Sequence, residues 1–288
     1  MSSPVAIVTG AGQGTGRATA ELLATEGYRV VAGVRDLERA HDEYGDQPGI
    51  TLVTLDVTKP ADIAAATATA QQMAGGAVEV LVNNAGHAMM AAQEDGDLDV
   101  ARAMFEVNVW GAAAMVQAVV PAMRQARRGA VVAVSSIGAR ITWPLIGFYH
   151  ASKYALGALT DALAFELAPF GVRVGMIEPG MIMTNFSQAT VLSGSVTDPE
   201  SEYAPLFAGL RGGFGAWRGR DDTSTAMDCA QAVLSIIRDD DPPVRMVVGG
   251  DAGVIDDALW ATPDSRELQD RIRDFLGIHD WPTNPPAA

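Results

Sequence analysis

At 288 residues the chain suits one large α/β domain or two small ones, and a 48% hydrophobic content fills a core and excludes a disordered chain. A net charge of −15 with no basic run argues against nucleic acid and anionic membrane surfaces as partners. Cys229 is the only cysteine, which rules out an intrachain disulfide, and the scattered histidines His41, His87, His150 and His279 lack metal-ligand spacing. The strand-like run starting at Val5 leaves no room for a signal peptide, and no apolar run reaches the roughly 18 residues of a spanning helix, so a cytoplasmic location is expected.

In chain order, strands are predicted at Val5–Thr9, Arg29–Val34, Thr51–Asp56, Val78–Asn83, Ala130–Ser135, Val172–Ile177 and Arg245–Val248. Most are continuous apolar runs, the pattern of parallel strands covered on both faces. Helical patterns separate them at Gly16–Glu26, Leu37–Tyr44, Ala61–Ala74, Leu98–Arg127, Tyr149–Phe170 and Ala226–Asp239. The succession predicts a single domain over 1–288: a doubly wound (Rossmann) α/β fold, with a parallel sheet of about seven strands and helices on both faces. The rhythm fails only over 181–225, read as a structureless run serving as a substrate lid. A further helix at Ser265–Leu276 and a frayed, proline-rich tail at 281–288 end the chain.

The first strand runs into Gly10-Ala11-Gly12-Gln13-Gly14-Thr15-Gly16, a turn whose glycines permit positive φ and close approach of a pyrophosphate to a helix N-terminus. The spacing is T-G-x-x-x-G-x-G, not the commoner G-x-G-x-x-G. Farther on, Tyr149-x-x-x-Lys153 places a phenol and an ammonium on one helix face, with Ser136 at a strand's carboxyl end 13 residues upstream. Carbonyl reduction needs a hydride on carbon and a proton on oxygen. A free tyrosine lies about 4 kcal/mol from ready ionisation at neutral pH. A lysine charge about 4 Å away is worth about that much at an effective dielectric near 20. Lys153 is thus expected to make Tyr149 a usable acid or base, with Ser136 donating to the reacting oxygen.

These motifs, with Asp56-Val57, Asn84-Ala85-Gly86, Asn108, and Pro179-Gly180 with Thr184, all in order, resemble the short-chain dehydrogenase/reductase family, classical branch, between Val5 and Thr184. Segments such as 157–170 and 177–186 look most like its hydroxysteroid and retinol dehydrogenases. The resemblance implies an NAD(P)-dependent oxidoreductase acting on a CH–OH group. It implies nicotinamide-ribose binding by Lys153, a water-linked proton relay completed by Asn108, and cofactor contacts from Gly10, Gly12, Gln13, Gly14, Thr15, Gly16, Asp56, Val57, Asn84, Ala85, Gly86, Tyr149, Pro179, Gly180, Ile182 and Thr184. Three residues depart from the usual pattern: Thr15 replaces an aliphatic residue, His87 replaces an apolar one, and His150 beside the tyrosine has no assigned role.

Where NAD-binding relatives place an acidic residue after the second strand, this chain has Val34 followed by Arg35, the pattern for clamping the 2′-phosphate of NADP(H). NADP(H) is therefore the expected cofactor, with NAD(H) as a substitute; the alternative is a solvated Arg35 paired with Asp36 or Glu38. The expected substrate is a bulky, mostly apolar carbonyl or alcohol facing Ile137, Trp143, Phe148, Met181 and Phe186, with Met89 and Met90 as further walls. Tyr203, Leu206, Phe207, Phe214 and Trp217 add lid surface. The apolar circumference of the two long helices predicts a homodimer or homotetramer. A lyase or epimerase on this scaffold is disfavoured, since dehalogenase relatives carry arginine at the Lys153 position and extended epimerases have another glycine spacing. A non-catalytic NADP-sensing protein would have no use for Ser136, Tyr149, Lys153 and Asn108 together.

Overall fold

Strands without a polar face must be covered on both sides, and here they are. The computed structural model describes residues 3–182, 190–218, 223–261, 273–274 and 277, with backbone alone at 216–218 and 258–261. Seven parallel strands form the main sheet: β1 (Val5–Thr9), β2 (Arg29–Val34), β3 (Ile50–Thr54), β4 (Val80–Asn83), β6 (Gly129–Val134), β7 (Val172–Pro179) and β9 (Arg245–Val248). Two short strands, β5 (Met89–Met90) and β8 (Val191–Leu192), pair separately. The main sheet runs in the order β3-β2-β1-β4-β6-β7-β9. Alternate residues of each strand serve opposite faces. Ala6, Val8, Val30 and Val132 pack beneath Leu23 of α1 (Gly14–Thr25) and Val233 and Ile237 of α8 (Ala226–Arg238), while α2 (Leu37–Tyr44) adds Ala40 and Tyr44. Ile7, Val31, Leu81 and Val131 pack on the other side against Ile63 of α3 (Pro60–Ala74) and Met115, Val119 and Met123 of α5 (Ala112–Ala126), where α6 (Gly147–Leu167) contributes Leu167. The order reverses between β1 and β4, which opens a crevice at the strands' carboxyl ends.

Several boundaries differ from those expected. β3 ends at Thr54 because Asp56 already belongs to a turn, its amide donating to Asp62 Oδ2 and its Oδ1 accepting from the Thr58 amide. The helix predicted over Leu98–Arg127 is α4 (Leu98–Phe105) and α5 joined by a wide π turn at Glu106–Gly111. It stops at Ala126 because Arg127 turns left-handed, φ +55°. This combined helix is long and apolar enough to cross a membrane, contrary to the expectation that no such run exists. Its inner face lies on the sheet through Met115, Val119 and Met123.

The run 181–225, expected to be structureless, is largely built. β8 pairs in parallel with β5, a single turn of 3-10 helix follows at Gly194–Thr197, and α7 spans Ala204–Arg218. Asp97 N donates to Ser193 Oγ, Ser195 N to Asp95 Oδ2, and Tyr203 Oη to Glu94 Oε1, at 3.0, 2.8 and 2.9 Å. Leu206 and Leu210 bury themselves against Ile137, Trp143 and Leu145. The helix escapes a sequence reading because Gly209, Gly212, Gly213 and Gly215 dilute its apolar stripe and lower its intrinsic propensity. An isolated bridge between Ile182 and Ser224 draws the ends of the segment together. After β9, α9 (Gly250–Ala261) closes the described core. The helix expected at Ser265–Leu276 lies almost wholly outside the described residues, and the tail at 281–288 lies wholly outside them.

Candidate active site

A cavity of about 450 Å³ occupies the crevice, running from the glycine turn to Trp143. Thr9 organises its floor: its Oγ1 accepts from the amides of Asn84 and Ala85, both at 3.0 Å, and Asn84 Nδ2 donates to the Thr9 and Gly10 carbonyls. This ties the end of β1 to the end of β4. Gly10 has φ +64°, and a Cβ there would stand 2.8 Å from Ala85 Cα, so only glycine serves. Gly16 was expected at the cofactor but does not line the cavity; it gives Asn84 and the Gly10 carbonyl room to pack against α1. Gly10, Gly12, Gln13, Gly14 and Thr15 do line it. Gln13 makes no side-chain cap to α1, so the helix's first amides meet the cavity without one. Such an end suits a pyrophosphate. Thr15 bonds through its side chain to Cys229 on α8, which gives the unusual threonine a packing partner.

Val34, Arg35, Asp56 and Val57 line one end. Arg35 is exposed and, among the described residues, forms no ion pair with Asp36 or Glu38. Asp36 caps α2 instead, accepting from the Arg39 amide, while Arg39 pairs with Glu43 at 2.7 Å. Burial raises the Asp56 carboxyl, but hydrogen bonds from Thr58 and the charges of Lys59 and Arg35 outweigh it and hold the group below its usual range. The residues present fit a dinucleotide: a glycine floor, helix amides without a side-chain cap, and an exposed arginine at the far end.

At the other end Tyr149 and Lys153 are both buried on α6, one turn apart. Tyr149 hydrogen-bonds to Ser136, whose Oγ also accepts from the Gly138 amide at 3.1 Å. Lys153 Nζ donates to the Val134 carbonyl at 3.0 Å and lies 5.8 Å from the Tyr149 ring centroid. Burial pushes the phenol up to about 12, against the pull of Ser136, and pushes the ammonium down to about 8. In both groups desolvation by burial is the leading cause, and it disfavours the charged form of each. At neutral pH the phenol keeps its proton and is poised as a donor.

Asn108 sits in the π turn, buried, and does not line the cavity. Its Oδ1 accepts from His87 N at 3.0 Å, and its Nδ2 donates to His87 O at 2.9 Å and Ser152 Oγ at 3.0 Å. The side chain thus orients the backbone beside Gly86, where a Cβ would lie 3.1 Å from Asn108 Oδ1 and 3.6 Å from Lys153 Nζ. His87 lines the cavity, and burial, then Arg35 and Lys153, lower its pKa.

Asn84, Ala85, Gly86, Pro179, Gly180 and Ile182 line the cavity as expected, as do Ile137, Trp143, Met181 and Met90, with Phe214 from α7. Phe148 does not: it packs beside Met89 and against Gly96, because one step along α6 from Tyr149 turns a side chain away from the cavity. Met89 is likewise buried in that cluster, on the opposite face of β5 from Met90. Tyr203, Leu206 and Phe207 pack behind the wall rather than in it. Thr184 and Phe186 lie outside the described residues, and so does the side chain of Trp217. Thr9 opens the T-G-x-x-x-G-x-G turn, whereas sequence reasoning missed Ser152 and Asp251; the latter, buried on α9, accepts from the Met181 amide at 2.7 Å and braces the Pro179–Ile182 loop. No local motif marks these two.

The family model described as short chain dehydrogenase matches residues 4–193. The chain is 33% identical over 249 residues to Oxidoreductase BOA17 of Botryotinia fuckeliana (strain B05.10), covering 85% of this chain and 88% of that protein. A short chain dehydrogenase from Burkholderia cenocepacia J2315, solved in complex with NADP, superposes with a TM-score of 0.73 at 30% identity, over 94% of this chain and 97% of that one. A 3-ketoacyl-(acyl-carrier-protein) reductase from Brucella melitensis, complexed with NADH, superposes with a TM-score of 0.71 at 28% identity, over 87% and 99%.

Proposed function

Because the chain belongs to the short-chain dehydrogenase/reductase family and is an oxidoreductase using a nicotinamide cofactor, we propose that it interconverts a bulky, mostly apolar carbonyl and its alcohol with NADP(H). The observation that carries this reading is the buried Ser136–Tyr149–Lys153 group at the end of a cavity that begins at a glycine turn. The nicotinamide supplies or accepts the hydride when bound. The chain's residues do the rest. Tyr149 gives its proton to the carbonyl oxygen in reduction, and Ser136 positions that oxygen by a hydrogen bond. Lys153, held by the Val134 carbonyl, keeps positive charge beside the phenol as the proton leaves. Asn108 fixes the backbone at Gly86–His87 that flanks Lys153.

Support for NADP(H) comes from Val34, which offers a ribose hydroxyl no acceptor, and from Arg35, which is exposed at that end of the cavity and forms no ion pair with Asp36 or Glu38 among the described residues. Support for an apolar substrate comes from Met90, Ile137, Trp143, Met181 and Phe214 around the reacting end. Met181, Ile182, Thr190 and Phe214, from the described part of the 181–225 segment, form part of its cover. The test is purified protein with NADPH against a panel of small and bulky ketones and a free sugar, following absorbance of the reduced nicotinamide. Bulky ketones should turn over, and Tyr149→Phe should bind NADPH normally while losing about 10²–10⁴-fold in kcat. A Tyr149→Phe enzyme retaining more than about a tenth of wild-type kcat would defeat the assignment.

A further inference from the structure

His150 follows Tyr149 on α6 and takes no part in the proton transfer, yet it holds groups that do face the reaction. Its ring is buried. Nδ1 accepts from the Trp143 amide at 3.1 Å, and the Trp143 indole meets the imidazole edge-on with ring centroids 5.5 Å apart. On another side the ring presses on Gly138, where a Cβ would come within 2.6 Å of His150 Cδ2 and 2.9 Å of Nε2. The Gly138 amide in turn donates to Ser136 Oγ, and Ser136 bonds to Tyr149. Trp143 continues to Phe214 on α7, with ring centroids 5.5 Å apart.

A backbone amide is always a donor, so Nδ1 must be the unprotonated nitrogen of the ring. A leucine or phenylalanine would fill similar space but leave the Trp143 amide without its acceptor in a buried loop. The loop 137–146 would then lose a side-chain bond that holds Trp143 at the cavity wall and the contact that seats Gly138 beneath Ser136.

We propose that His150 is a positioning residue: through Trp143 and Gly138 it sets the substrate wall and the Ser136 hydroxyl, and so governs both substrate fit and rate without touching the reacting atoms. The inference rests on the Ser136–Tyr149–Lys153 assignment above. Displacements near 1 Å at a reacting centre cost about 10²-fold in rate, so small movements of this loop are enough.

The experiment compares full-length wild type, His150→Phe, His150→Asn, Gly138→Ala and Tyr149→Phe. Readouts are NADPH affinity, kcat and KM for the best small and best bulky ketone of the panel, and amide hydrogen exchange over 137–146 in the free protein. His150→Phe should bind NADPH like wild type, lose at least about tenfold in kcat and raise KM more for the bulky ketone than for the small one. Exchange over 137–146 should accelerate. His150→Asn, whose Oδ1 can take the Trp143 amide, should recover most of the rate and the slow exchange. If His150→Phe fails to fold, Gly138→Ala, which pushes the ring from its other side, should reproduce the rate loss with NADPH binding intact. Wild-type kcat, KM and exchange in His150→Phe, or in Gly138→Ala where that is the variant measured, overturn the inference, as does His150→Asn behaving no better than His150→Phe. An active Tyr149→Phe overturns the underlying catalytic assignment instead, so the two failures are separable.

Discussion

Acidification should weaken the fold through His150. Burial lowers this imidazole from its usual 6.5 to about 4. The folded state therefore resists a proton that the unfolded chain accepts readily below pH 6.5, so stability is fully present above that value and is lost as pH falls toward 4. A drop of that size amounts to about 3 kcal/mol once protonation is complete, and about 2 kcal/mol of it is lost by pH 5. Among the described residues, two other groups with shifted pKa values act in this window. Burial lowers His87 as well, with the same sign of effect, whereas burial raises Glu178 against the pull of Arg140 and Arg245, which works in the opposite sense. The difference between wild type and His150→Asn removes both. Urea unfolding at pH 7.5 and pH 5 should show wild type losing about 2 kcal/mol more than the asparagine variant. Equal losses in the two proteins would mean that His150 is not held neutral by its surroundings, and the assignment of its acceptor nitrogen would fall with it.

Coenzyme choice should follow Arg35: a charge-assisted hydrogen bond worth about 1.5–3 kcal/mol gives at least about tenfold preference for NADP(H) in kcat/KM. Val34→Asp with Arg35→Ala should reverse that preference, and wild type using NADH as well as NADPH would show that Arg35 serves only solvent. Trp110 on the π turn and Phe165 on α6 are 56% and 84% exposed, large apolar surfaces for a protein alone in water. Sedimentation equilibrium should give a homodimer or homotetramer, and a mass near 30.1 kDa at micromolar concentration would refute it.

The order of strands and helices was legible because each signal is local. Continuous apolar runs such as Val5–Val8 and Ala130–Val134 have no face to leave in water, and a parallel sheet is the arrangement that covers both. Tyr149 and Lys153 were legible for the same reason, since a four-residue spacing on a helix places two side chains together whatever surrounds them. Tertiary structure decided what depends on distant neighbours. Phe148 and Met89 look like pocket residues by composition, yet their direction from α6 and β5 turns them into the core. The glycines of α7 hid a helix whose apolar face gains its partners, Ile137 and Trp143, only when the chain folds back over them. How deeply Tyr149 and Lys153 are buried was also decided by the tertiary structure, because desolvation is set by everything packed around a group, and spacing along the chain carries no record of it.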